Sequence, residues 1–183
     1  TIGAGTTIAH AASRDGLFSS TDLGAHWQAA PSNPTNPTLA AFAVDSMNPD
    51  LWFAGTAGSG LFRSSDAGVS WQPVLTGQDI LGLAIRPGTP SQVYAATGVG
   101  LFLSLDDGVT FTFAPTLIAP LFSVAVQPAA TGRVFVGTLS QGVYRSADGG
   151  ESWEAHNQGL GGYGDLVISG IAQDPVDAAT FII

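Results

Sequence analysis

The sequence predicts an all-β fold, a β-propeller or partial propeller of four blades, each a four-stranded unit of about 42 residues, with essentially no helix. Three observations carry that expectation. One eight-residue motif recurs four times at nearly constant spacing. The short apolar runs between the motifs align copy by copy. No segment holds a 3.6-residue hydrophobic period over ten or more positions, which a helix needs to bury one face.

The motif reads Ser20-Thr-Asp22-Leu-Gly24-Ala-His-Trp27, then Ser64-Ser-Asp66-Ala-Gly68-Val-Ser-Trp71, Ser104-Leu-Asp106-Asp-Gly108-Val-Thr-Phe111 and Ser146-Ala-Asp148-Gly-Gly150-Glu-Ser-Trp153. Its aspartates lie 44, 40 and 42 residues apart (66−22, 106−66, 148−106), the length of one four-stranded blade. An Asp in a tight turn accepts hydrogen bonds from backbone N–H groups two or more residues on. The glycine two positions later supplies a positive φ that other residues resist. The Ser hydroxyl closes the start of the turn, and the aromatic opens the outgoing strand and packs the hairpin on its neighbour. The motif thus marks the turn between the third and fourth strands of each unit.

The other strands follow in order. A first strand reads Leu39-Ala-Ala-Phe-Ala-Val44, Ile80-Leu-Gly-Leu-Ala-Ile85, Leu121-Phe-Ser-Val-Ala-Val126 and Ile168-Ser-Gly-Ile-Ala-Gln173. Its alternation of small and large residues suits a crowded inner strand. A turn with Pro87, Pro128 and Pro175, or Ser46 at the matching place, leads to a second strand: Leu51-Trp-Phe-Ala-Gly-Thr56, Gln92-Val-Tyr-Ala-Ala-Thr97 and Arg133-Val-Phe-Val-Gly-Thr138. A third starts at Gly16, Gly60, Gly100 and Gly142, and a short fourth starts at each motif aromatic. β-branched and aromatic residues fill these runs, while Gly, Pro, Asn and Asp lie between them. Residues 1–183 read as one repeat segment, with units centred on 20–27, 64–71, 104–111 and 146–153.

Composition narrows the function classes. Only 10% of residues are charged, lysine is absent and the net charge is −9, a surface that repels nucleic-acid phosphates and anionic membranes. No apolar run approaches the roughly 18 residues of a membrane helix. Cysteine is absent, which removes disulfides and thiolate metal sites. His10, His26 and His156 show no metal-ligand spacing, and Asp106-Asp107-Gly108 lacks the alternating oxygens of a calcium loop. No metal or cofactor is expected.

Four copies of Ser-x-Asp-x-Gly-x-x-aromatic in one register resemble the Asp-box (BNR) repeat family, and the resemblance covers nearly the whole chain. That family includes sialidases, xyloglucan-cleaving glycoside hydrolases, sortilin-type receptors and photosystem II assembly factors. It implies a propeller, usually of six to ten blades, and favours a secreted or periplasmic home over a lumenal one; a bacterial source is expected. It also implies that the boxes lie on the rim away from the axial site, so that Asp22, Asp66, Asp106 and Asp148 serve the fold and not catalysis.

The remaining polar residues leave little chemistry. A sialidase needs three convergent arginines, and Arg63 and Arg145 instead share one repeat position while Arg86 sits in a turn; Arg14 and Arg133 complete the set. Other glycosidases need two carboxylates flanking the scissile bond, about 5–10 Å apart. Asp79 and Asp165, in loops leading into an inner strand, are the candidates, set against their reading as solvated loop acids. Asp45 and Asp174 share a turn position and read as turn-formers. Tyr163, within the glycine-rich stretch 159–164, is a candidate ligand contact.

The expectation is therefore a non-catalytic binding or scaffold module for a protein or glycan. The alternatives are part of a secreted glycoside hydrolase of xyloglucanase type, or a repeat fragment that acts only as a folding or assembly unit. One alignment of the N-terminus makes Thr1 the start of a second strand and residues 6–16 an inserted loop; a rival alignment puts Ala9–Ser13 there. Either way open strand edges follow, which invite self-assembly or belong to a longer propeller.

Overall fold

The structure, a computed structural model, describes residues 9–34, 38–127, 132–161, 166–173 and 181–183. Among these no helix occurs, and so none long and apolar enough to cross a membrane. The strands are β1 (Ala9–Ser13), β2 (Gly16–Ser20), β3 (Gln28–Ala29), β4 (Leu39–Val44), β5 (Trp52–Thr56), β6 (Gly60–Ser64), β7 (Gln72–Leu75), β8 (Ile80–Arg86), β9 (Gln92–Thr97), β10 (Gly100–Ser104), β11 (Thr112–Ala114), β12 (Leu121–Val126), β13 (Val134–Thr138), β14 (Val143–Ser146), β15 (Glu154–Ala155), β16 (Ala172–Gln173) and β17 (Phe181–Ile182). They form complete antiparallel blades β4–β7, β8–β11 and β12–β15, flanked by the three-stranded sheet β1–β3 and the pair β16–β17. This is the partial propeller that the repeat spacing predicts.

Register repeats from blade to blade. Phe42 faces Ala54, Leu83 faces Ala95 and Val124 faces Val136 across the first two strands. Each of these ladders also shifts at the same place, between Leu39 and Ala41, Ile80 and Gly82, and Leu121 and Ser123, a bulge that adds local twist. The sheet β1–β3 corrects the first of the two N-terminal alignments. Ala9–Ser13 pairs with β2 in the register that β5 uses with β6, so it is a second strand and not part of a loop; residues 1–8 lie outside the described residues. The fourth strands begin one residue after each box aromatic. In the last unit only Ala172–Gln173 of the expected inner strand is extended, and Pro128, Pro175 and Asp174 lie outside the described residues.

The core is divided among the seams between blades. One cluster joins Leu17 to Leu39 and Ala54, with Trp71 against it. A second joins Leu51, Phe53 and Leu61 to Ile80, Val93 and Ala95. A third joins Tyr94, Ala96 and Leu101 to Leu121, Val124, Val134 and Val136. The small residues of the second strands make this stacking fit: a Cβ on Gly55 would stand 2.5 Å from Ile80, and one on Gly137 would stand 2.5 Å from Ile168. Each blade thus seats the large first residue of the next inner strand in a hollow that only a small side chain leaves open.

Candidate functional site

Antiparallel topology sorts the connections onto two ends. Turns between first and second strands share one end with the boxes; turns between second and third strands share the other with the loops that enter each inner strand.

At the box end the four loops are built alike. The Oγ atoms of Ser20, Ser64, Ser104 and Ser146 each donate to their aspartate Oδ1 at 2.7 Å. Each also accepts the N–H of Gly24, Gly68, Gly108 or Gly150, at 2.9, 2.9, 2.9 and 2.8 Å. The aspartate Oδ1 accepts the backbone N–H of His26, Ser70, Thr110 or Ser152, while Oδ2 bonds the same residue's side chain. These bonds favour the ionised form. The backbone N–H of His26, followed by its ring, holds Asp22 at about 2, whereas the hydroxyl and then the N–H of Ser70 and of Thr110 hold Asp66 and Asp106 at about 2. Asp148 is lowered further, by the Ser152 hydroxyl first and then its N–H. Carboxyls this acidic stay ionised at neutral pH and have no proton to give a leaving group. Trp71, Phe111 and Trp153 lie half-buried against the seam clusters, and Trp27 is exposed.

Asp45, in the turn after β4, is buried at 1% exposure. Its Oδ1 accepts the N–H groups of Met47 at 2.8 Å and Asn48 at 3.2 Å, and its Oδ2 accepts the Ser91 hydroxyl of the next blade. Ser91 N–H in turn donates to Asp107 Oδ1 at 2.7 Å, and Arg63 Nε donates to the Asp107 carbonyl at 2.8 Å. The expected turn acid is therefore also a link between blades. Sequence reading missed Ser91 because it occurs once, outside the repeat pattern. The arginines are dispersed: Arg145 pairs Glu154 at 3.3 Å within its blade and Arg86 donates to Gln92, so the described residues contain no convergent arginine triad.

The opposite end carries few charges, with Arg14 and Asp15 in the β1–β2 turn of the first sheet. In the connections of the three complete blades it carries Ala57-Gly-Ser59, Thr76-Gly-Gln-Asp79, Gly98-Val99, the stretch 115–120 and Leu139-Ser-Gln141, among which Asp79 alone is charged. Asp79 is exposed and lies beside the β5–β6 turn, where a Cβ on Gly58 would come within 4.0 Å of its carboxylate. Exposed apolar side chains surround this end: Val99, Ile118, Leu139 and Val167. Its turns are closed alike, since Thr56, Thr97 and Thr138 each donate Oγ1 to the carbonyl of a glycine at the entry to the next strand, Gly60, Gly100 and Gly142, at 2.9, 2.7 and 2.9 Å. Asn157 Oδ1 caps Val143 N–H and Asn33 Oδ1 caps Leu17 N–H, both at 2.7 Å. The threonines stand at a fixed repeat offset, 41 residues apart (97−56, 138−97), the signal by which they were findable; the two asparagines stand at different distances from their boxes (33−22, 157−148). Tyr163 and Asp165 lie outside the described residues, so Asp79 has no second carboxylate established beside it. The described residues include no group of three or more His, Asp or Glu able to hold a metal ion.

Antiparallel blades stacked through seam clusters define the class: a β-propeller segment. No family model matches the chain. Among curated proteins it is similar to a xyloglucanase of Hypocrea jecorina (strain QM6a), 30% identical over 138 residues, which is 71% of this chain and 16% of that protein. The chain thus spans about a sixth of the length of the curated relative it matches. Among solved structures it resembles the GH74 xyloglucanase of Xanthomonas campestris, with TM-score 0.71 and 19% identity over 95% of this chain and 32% of that one. It also resembles YCF48 bound to D1 peptide, with TM-score 0.59 and 16% identity over 78% of this chain and 46% of that one. These structural likenesses support the propeller fold.

Proposed function

We propose that the chain is a non-catalytic carbohydrate-binding propeller segment, which receives a neutral glucan of the xyloglucan type on the end opposite the boxes. The observation that carries this reading is the sequence similarity to a xyloglucanase, and the chemistry of that end agrees with it. A sugar chain without charge gains nothing from an acidic rim, but it packs on exposed apolar side chains and hydrogen-bonds to Gln, Ser and Asp groups among them. The box loops are read as Asp-box repeats whose Ser, Asp, Gly and aromatic residues support turns. Hydrolysis needs a second carboxylate at a set distance from the first; Asp79 is the one carboxylate in the connections of the three complete blades at its end, and the other described one there, Asp15, lies in the β1–β2 turn of the first sheet.

Affinity electrophoresis and calorimetry with xyloglucan, against an anionic polysaccharide as control, test the reading. Binding to xyloglucan without release of reducing sugar is expected, and no binding to either would sink it. A second reading, that the chain is part of a glycoside hydrolase, rests on the same similarity and on Asp79 at an inner-strand entry. Turnover of xyloglucan that Asp79→Asn abolishes would replace the first reading with this one.

A further inference from the structure

We propose that the groove between blades β4–β7 and β8–β11, at the box end, receives a lysine side chain of a partner protein, with Asp107 meeting its ammonium. The groove has a volume of about 420 Å³, inside the roughly 300–1,000 Å³ of ordinary ligand pockets. One wall is the turn after β4, with Met47 and Asn48. The other is the turn after β8, with Gly88, Thr89 and Pro90. Ser91 and Asp107 complete the lining. Both walls belong to complete blades, and every lining residue is among those described.

The box turn does not need the Asp107 carboxylate. Its place, between the box aspartate and the glycine, is filled by Leu23, Ala67 and Gly149 in the other three boxes. Leu23 and Ala67 take nearly the same positive φ, 62° and 55° against 59° at Asp107. The neighbouring turn holds this side chain instead. Ser91 N–H donates to Asp107 Oδ1 at 2.7 Å, and Asp107 N–H donates to the Ser91 carbonyl at 3.2 Å. The Ser91 hydroxyl is fixed in turn by Asp45. Asp107 Oδ2 bonds no group among the described residues. Arg63 donates its Nε to the Asp107 carbonyl at 2.8 Å, and no described Arg or His forms an ion pair with the carboxylate. One oxygen of a half-buried, preorganised carboxylate is thus left for a cation.

The rest of the lining suits a hydrocarbon stem. Met47 is 67% exposed, a flexible thioether that adapts to an unbranched chain, and the other wall offers the Pro90 ring and the Thr89 methyl. Such walls pack the methylenes of a lysine while its ammonium reaches a charge. A compact ammonium matches one free carboxylate oxygen, whereas the planar guanidinium of arginine is matched by two. These 183 residues contain no lysine, so a second copy of them cannot supply the group. Their net charge of −9 draws a basic partner.

Amide NMR of the unaltered chain, titrated with Nα-acetyl-lysine N-methylamide to about 50 mM, reads the weak binding of a lone side chain. Saturable shifts are expected at Met47, Asn48, Gly88 and Ser91, weakened by added salt. The norleucine analogue has the same stem without the ammonium and is expected to leave those amides unmoved. Equal shifts with norleucine, tighter binding of the arginine analogue, or no shift with lysine overturns the proposal. Asp107→Asn keeps an oxygen for the Ser91 N–H and removes the charge, and it is expected to weaken lysine binding at least about threefold. Unchanged affinity in that variant also overturns the proposal. The comparison of lysine with norleucine requires no variant to fold.

Discussion

Ser104, 1% exposed, makes three bonds with one oxygen: it donates to Asp106 and accepts the N–H groups of Asp106 and Gly108. Ser104→Ala strands buried donors, and the expected loss is about 2 kcal/mol, read from urea unfolding. Gly108 is constrained twice, by a φ of 74° and by Phe53 of the preceding blade, whose ring a Cβ would overlap. Gly108→Ala is expected to cost at least about 2 kcal/mol in the same measurement. The box carboxyls set an acid limit on stability. Hydrogen bonds hold Asp22, Asp66 and Asp106 at about 2 in the folded chain against an ordinary 3.8. Their contribution is fully present above about pH 4, where the unfolded chain is also ionised, and is lost as pH falls through about 2. Thermal midpoints are expected to drop steeply across that window, and Asp66→Asn should flatten part of the drop.

Turns of the same length do different work at the scale of the element. The turn after β4 keeps its acid buried because Asp45 joins two N–H groups of its own blade to the hydroxyl of Ser91 in the next. Asp45→Ala should cost about 2–3 kcal/mol, and Ser91→Ala should cost less when Asp45 is already gone, a coupling that a double-mutant cycle measures. Strand identity and order were legible from the alternation in segments such as Leu121–Val126, and so was the place of each box. The Asp45–Ser91 link was not, because it spans 46 residues and Ser91 stands at a place where the other units carry different residues. The start of the first sheet was ambiguous for a related reason. Ala4-Gly5-Thr6 imitates Ala54-Gly55-Thr56, yet Ala9–Ser13 is the stretch that pairs with β2. For the site, sequence supplied the position of Asp79 at an inner-strand entry, but that no other charge lies in the same-end connections of the three complete blades emerged only once topology had sorted the loops onto two ends.

Order varies along the line of blades when the molecule is taken whole. β9 is buried from Val93 to Thr97 between two seam clusters, while β16 and β17 share a two-residue ladder. Hydrogen exchange is expected to be slowest in β9 and fastest in β16 and β17, with β3 and β15 close to the fast limit. Equal protection in all sheets would mean that the blades open together. The two-ended distribution of charge has a separate consequence. Asp22, Asp66, Asp106, Asp107, Asp148 and Glu151 gather at one end, while the connections of the three complete blades at the other carry only Asp79, so the molecule has a permanent electric moment along its strands. With no lysine to react elsewhere, adsorption on a cationic support should land the chain box end down in a single orientation. An adsorbed layer would then present the ends opposite the boxes outward, all in one alignment.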